Sequence, residues 1–148
     1  MRRKDHMDPV RSFNESLRAI FDIFAELPST RFKAAVSIRV LREKLLKGIS
    51  AQPTYSIVVL GPYILSSSKD IESGDAGRIL QMDHAPHIIA LGKVHDFDIG
   101  DAARCIAFMK DAYQDAPPPK RVAIIGHCRT MLSSYARHLI QRTEERKS

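Results

Sequence analysis

Apolar residues recur at steps of three and four near the start of the chain. Val10, Phe13, Leu17, Ile20, Phe21, Phe24 and Leu27 fall on one face of a helix. Asp8 supplies an N-cap, Pro9 suits the first helical position, and Pro28 ends the pattern. The spacing predicts a helix from Pro9 to Leu27 behind a frayed tail over residues 1–8. A stripe with three phenylalanines must be covered, either by the domain's own core or by a second copy of the chain. Phe13, Leu17, Ile20 and Phe24 are therefore the candidate interface. A second helix is expected over Arg31–Lys47, capped by Ser29 or Thr30 and stopped by Gly48. Its apolar residues spread around more than one face.

The middle of the chain changes character. Thr54–Leu60 is rich in β-branched residues and reads as a strand, interrupted by Gly61-Pro62 as an edge, bulge or hairpin end. Ser66–Gly77 reads as a polar loop, and Pro86–Val94 as a second strand. A helix starting at Asp98 or Gly100 is expected to reach about Tyr113, with Pro117-Pro118-Pro119 as a stiff connector. Val122–Ile125 is a continuous apolar run, the mark of a strand buried on both faces. Gly126 breaks it. Met131, Leu132, Tyr135, Ala136, Leu139 and Ile140 then predict an amphipathic helix. The expected fold is α/β: a small mixed sheet with a C-terminal β-α-β-α unit, preceded by two amphipathic helices. Residues 1–148 form one domain in this reading, with a helical segment over 9–48 and an α/β core over 54–146.

Composition bears on compartment and partners. Two cysteines, Cys105 and Cys128, make no disulfide framework, and no apolar run follows the basic start. No run approaches the roughly 20 apolar residues of a membrane span. A reducing cytoplasm of bacterial type is the expectation. The net charge of +6 is uneven: residues 1–50 hold 11 Lys/Arg against 6 Asp/Glu, whereas residues 51–98 hold 3 against 6. Within the second helix Arg31, Lys33, Arg39 and Arg42 make a candidate nucleic-acid face, although a solvated basic surface is the favoured account of them. A homodimer or another protein is the favoured partner, nucleic acid the less favoured one.

Three constellations have the residue types for chemistry. The turn His127-Cys128-Arg129-Thr130 lies between the expected strand and helix, where backbone N–H groups attract anions and lower a thiol pKa. Cys128 and His127 are the catalytic candidates if the chain is an enzyme. The turn departs from a nucleophile elbow at Thr130, which stands where glycine is needed. It departs from a phosphatase loop because Arg129 and Arg137 are at the wrong spacing from Cys128. Asp83, His84, His87, His95, Asp96 and Asp98 are metal-ligand types, but eight residues of straight strand place His87 and His95 about 26 Å apart. The glycines match no phosphate-binding motif. No metal and no cofactor are expected.

The segments ALGKVHDFDIGDAARCIAFMKDA and KRVAIIGHCRTMLSSYARHLI resemble the STAS-type family of sulfate-transporter and anti-sigma-factor-antagonist domains. Gly92, Asp98 or Asp101 and Val122–Ile125 sit at comparable places. The resemblance covers about a third of the chain and implies a non-enzymatic protein–protein regulator. The antagonists carry a phosphorylatable Ser or Thr preceded by Asp; only Thr130 offers a hydroxyl here, and no Asp precedes it. The resulting expectation is a cytoplasmic, non-enzymatic regulatory or interaction domain that self-associates through its N-terminal helix. The alternatives are a small thiol hydrolase or transferase using Cys128, and a nucleic-acid-binding protein using residues 31–47.

Overall fold

The computed structural model describes residues 8–27, 32–74, 107 and 109–147. Among them there is no strand; the elements are helices α1 (Pro9–Glu26), α2 (Phe32–Ala51), α3 (Tyr55–Ser66), α4 (Ser68–Ser73) and α5 (Pro118–Lys147). Residues 109–115 are also helical. The α/β sheet expected from the sequence, and with it the STAS-like architecture, is overturned by this all-helical arrangement. The expected strand over residues 86–94 lies outside the described residues.

α1 forms where the spacing places it. The Asp8 carboxylate accepts from the Val10 N–H at 2.9 Å, with proline in the first turn. Pro28 disfavours helical backbone at the preceding residue, and Leu27 is accordingly extended at φ −69°, ψ 139°. α2 runs past its expected stop. Gly48 is buried inside the helix, which continues to Ala51; Pro53 then provides no N–H to extend it.

Two apolar runs read as strands are helices. Thr54–Leu60 is the N-cap and first half of α3, whose buried Ile57, Gly61 and Ile64 follow a helical period. The Gly-Pro pair is no sheet edge: Pro62 lies inside α3 and is exposed. Val122–Ile125 belongs to α5. Ile124 and Ile125 are buried, but Val122 is 71% exposed, so the run has one covered face rather than two. The prolines at 117–119 act as a junction. The helical stretch before them ends at Asp115, and α5 starts at Pro118, where a missing N–H costs nothing. The Pro117 carbonyl accepts from Lys120 and Arg121. The predicted loop after Ser66 contains α4, closed by Gly74 in the left-handed region at φ 88°.

α5, at 30 residues, is about 45 Å long and serves as the spine. α1 packs most extensively on it, α3 and α4 lie against it, and α2 packs on α1. Among the described residues, Phe13, Phe24, Leu45, Ile57, Ile71 and Met131 are the innermost large apolar side chains, drawn from five helices. The buried face of α5 is turned relative to expectation. It comprises Ile124, Ile125, Met131, Ser134, Tyr135 and His138, while Ala136, Leu139 and Ile140 face outward.

Candidate functional site

His127, Cys128, Arg129 and Thr130 are not at a turn. They lie near the middle of α5, so no run of free N–H groups surrounds them. Thr130 Oγ1 donates back to the Gly126 carbonyl at 3.1 Å, an ordinary helical contact. Cys128 is half-buried and packs against the core beside Tyr63. Burial pushes its thiol up to about 11. Burial also raises the Tyr63 hydroxyl, and the neighbouring Cys128 adds to that shift. At that value about one thiol in ten thousand is ionised at neutral pH, the opposite of what a nucleophile needs.

Arg129 has a structural task that the sequence pattern did not reveal. Its Nε donates to the Ile71 carbonyl at 3.3 Å and its Nη2 to the Glu72 carbonyl at 3.0 Å. Both are carbonyls of the last turn of α4, and that of Ile71 also accepts from the Gly74 N–H at 3.2 Å. The guanidinium therefore caps α4 from a position 57 residues away in sequence. It also lines an open groove of about 350 Å³ with Tyr113, Arg121, Val122 and Ile125.

The candidate interface on α1 faces inward. Phe13 and Phe24 are essentially inaccessible, and Leu17 and Ile20 are buried with them among the chain's own helices. These four side chains do not form a free surface. The basic face divides as well. Arg42 Nη1 binds Asp22 Oδ1 at 2.8 Å, tying α2 to α1, and Arg18 stands 3.9 Å from the other oxygen of Asp22. Arg39 is exposed. Arg31 and the Lys33 side chain lie outside the described residues, as do Asp83, His84, His87, His95, Asp96 and Asp98. Among the described residues, no group of three His, Cys, Asp or Glu stands close enough to hold a metal ion. No helix among them is long and apolar enough to cross a membrane.

Comparison with known proteins finds no matching family model, no similar curated protein and no similar solved structure.

Two surface features remain. No charged residue occurs between Lys47 and Lys69, a stretch that includes all of α3. Val58 and Leu65 on that helix are 45% and 47% exposed, and Pro62 between them is exposed too. Their spacing of four and three residues makes one outward apolar stripe. The second feature is a cleft of about 420 Å³ between the first turns of α1 and the end of α2, where Asn14 meets Pro53. The uncharged run was visible in the sequence. Its significance was hidden by the strand reading, because a buried strand is expected to be apolar throughout.

Proposed function

We propose that this chain is a non-enzymatic helical interaction domain with a regulatory role, which associates through the outward face of α3, first with a second copy of itself. The observation that supports this reading is the Val58–Pro62–Leu65 stripe on a helix without charge. A helix apolar on every side has the composition of one covered on every side. The inner face of α3 packs on α5 and α1, and the outer face presents apolar groups to water. The protonated, packed Cys128 favours this reading over thiol chemistry, and the Arg42–Asp22 ion pair weakens the nucleic-acid alternative.

The stripe is small. Three side chains fall short of the roughly 800 Å² per partner that a standard stable interface buries, so pairing on α3 is reversible and concentration-dependent. Sedimentation velocity from roughly 10 μM to 1 mM spans the range in which such contacts form. The wild-type chain is expected to shift from monomer toward dimer. A Val58→Glu/Leu65→Glu variant, altered only at side chains already half in water, is expected to stay monomeric with unchanged helicity. A wild-type chain that sediments as a monomer throughout would remove the reading.

A further inference from the structure

The longest helix carries charge of one sign. From Ala116 to Thr143 the chain holds Lys120, Arg121, Arg129, Arg137 and Arg142 and no acid. Two of these cations stand in the first turn of α5, where the helix dipole already places positive potential and acids are the favoured residues. α1 shows the ordinary arrangement, with Asp8 at its N-cap. The backbone at this end of α5 does not recruit an anion. Pro118 and Pro119 have no N–H, and the N–H groups of Lys120 and Arg121 are bound to the Pro117 carbonyl. The uncompensated positive charge is therefore presented by side chains.

The groove of about 350 Å³ lies along this end of α5. Its floor is Tyr113 and Ile125, both buried, and Arg121, Val122 and Arg129 border it. Val122 is 71% exposed, an apolar group left open to water between two cations. Among the described residues no carboxylate lines the groove, and neither arginine is in an ion pair. The cleft between α1 and α2 differs in this respect, since Asp8 and Glu15 there balance Arg11 and Arg18. Arg129 is also held in place. The Ile71 and Glu72 carbonyls take its Nε and Nη2, and its Nη1 makes no hydrogen bond with a described residue. A guanidinium fixed in this way loses little freedom on meeting a carboxylate. Arg121 and Arg129 are two turns apart on α5, which sets their Cα atoms about 12 Å apart. An extended peptide places side chains i and i+4 about 13 Å apart on one face, with i+2 between them.

We propose that this groove docks an extended acidic segment of a partner protein, with carboxylates four residues apart and an aliphatic side chain midway. The carboxylates pair with Arg121 and with Nη1 of Arg129, and the aliphatic group covers Val122. A nucleic acid suits these groups less well. Single strands rely on stacking against accessible aromatic rings, and the ring at this groove, Tyr113, is 9% exposed. No residue of α3 lines the groove, so this surface is distinct from the one proposed for self-association and does not depend on it.

The test is a ¹H–¹⁵N NMR titration of the full chain, at low salt, with a capped peptide containing Glu-Ser-Leu-Ser-Glu. It is run beside the Gln-Ser-Leu-Ser-Gln peptide, which lacks the charges, the Glu-Ser-Ser-Ser-Glu peptide, which lacks the apolar group, and oligothymidine. The acidic peptide is expected to bind with a dissociation constant on the order of 0.1–1 mM. The shifts should saturate and centre on Arg121, Val122 and Arg129. The uncharged peptide should bind at least about tenfold more weakly, and the peptide without leucine several-fold more weakly. Arg121→Glu should abolish binding. That substitution puts an acid in the first turn of α5, where it favours the helix, so the loss would not reflect unfolding. Each of the following would overturn the proposal: absent or unsaturable shifts; shifts centred elsewhere; equal affinity for the uncharged peptide; unchanged binding by the Arg121→Glu variant; or tighter binding of oligothymidine at the same residues.

Discussion

Gly61 sits in the middle of α3 where that helix crosses α5. A Cβ at this position would overlap the edge of the Tyr135 ring at Cδ1, Cε1 and Cγ, with Cγ at 2.8 Å. Carbon atoms pack best at about 3.5–4.0 Å, so methyl and ring must separate by well over 1 Å. Tyr135 is 9% exposed, so either its buried ring or the two helices must shift to make room. At an open helical site, Gly→Ala gains up to about 1 kcal/mol because the unfolded chain loses freedom. Here the overpacking cost of about 1–3 kcal/mol dominates. Gly61→Ala is therefore expected to lose about 1–2 kcal/mol net, measured by urea unfolding followed by circular dichroism. A second background isolates the cause. Tyr135→Ala alone should cost about 3–5 kcal/mol, and adding Gly61→Ala to it should be neutral or gain up to about 1 kcal/mol. A coupling of about 2 kcal/mol between the two sites is the signature of contact. Stabilisation by Gly61→Ala in the wild-type background, or the same effect in both backgrounds, would refute this packing.

Two further expectations concern α5. Cys128 is held protonated up to about pH 11, whereas an unfolded thiol ionises at about 8.5–9. Between these values the unfolded chain binds fewer protons than the folded one, so stability falls as pH rises, by roughly 2–3 kcal/mol over the window. Cys128→Ala should lack this component; identical pH profiles for variant and wild type would show that the thiol is not sequestered. In a Cys105→Ser background, Cys128 should also alkylate more slowly at neutral pH than a free thiol. Arg129→Ala removes two hydrogen bonds to the end of α4 and should cost about 1 kcal/mol. Hydrogen exchange should quicken at α4 amides first, and an unchanged α4 would show that the cap does not hold it.

The regular helices near the N-terminus were readable because their periodicity is local and strong. Asp8-Pro9 and Leu27-Pro28 mark the ends of α1 by steric and hydrogen-bonding rules that need no partner. The failures came where an apolar run was uninterrupted. Thr54–Leu60 and Val122–Ile125 are rich in β-branched and other apolar residues, and a short run of that kind has no period to read. Intrinsic β preference spans only about 1 kcal/mol and yields to packing. The cover that α5 gives Ile57, Gly61 and Ile64 decided the matter for α3. The candidate site followed the same logic. His127-Cys128-Arg129 was conspicuous because it was placed at a strand end; inside a helix the same residues cap α4, fill core space and meet solvent.

By itself, then, the sequence determined the extent of α1, the presence of a second basic helix, and the demand that Phe13, Leu17, Ile20 and Phe24 be covered. Those properties depend on neighbours within a few residues. Only the tertiary structure decided what covers that stripe, which way α5 turns its faces, what Arg129 binds, and that Asn14 reaches the Pro53 carbonyl. Each of these depends on contacts between residues far apart in the chain, such as Arg129 with Glu72, Gly61 with Tyr135 and Asn14 with Pro53. Local propensity carries no information about such pairs, because the free energy that selects them arises only when the helices meet.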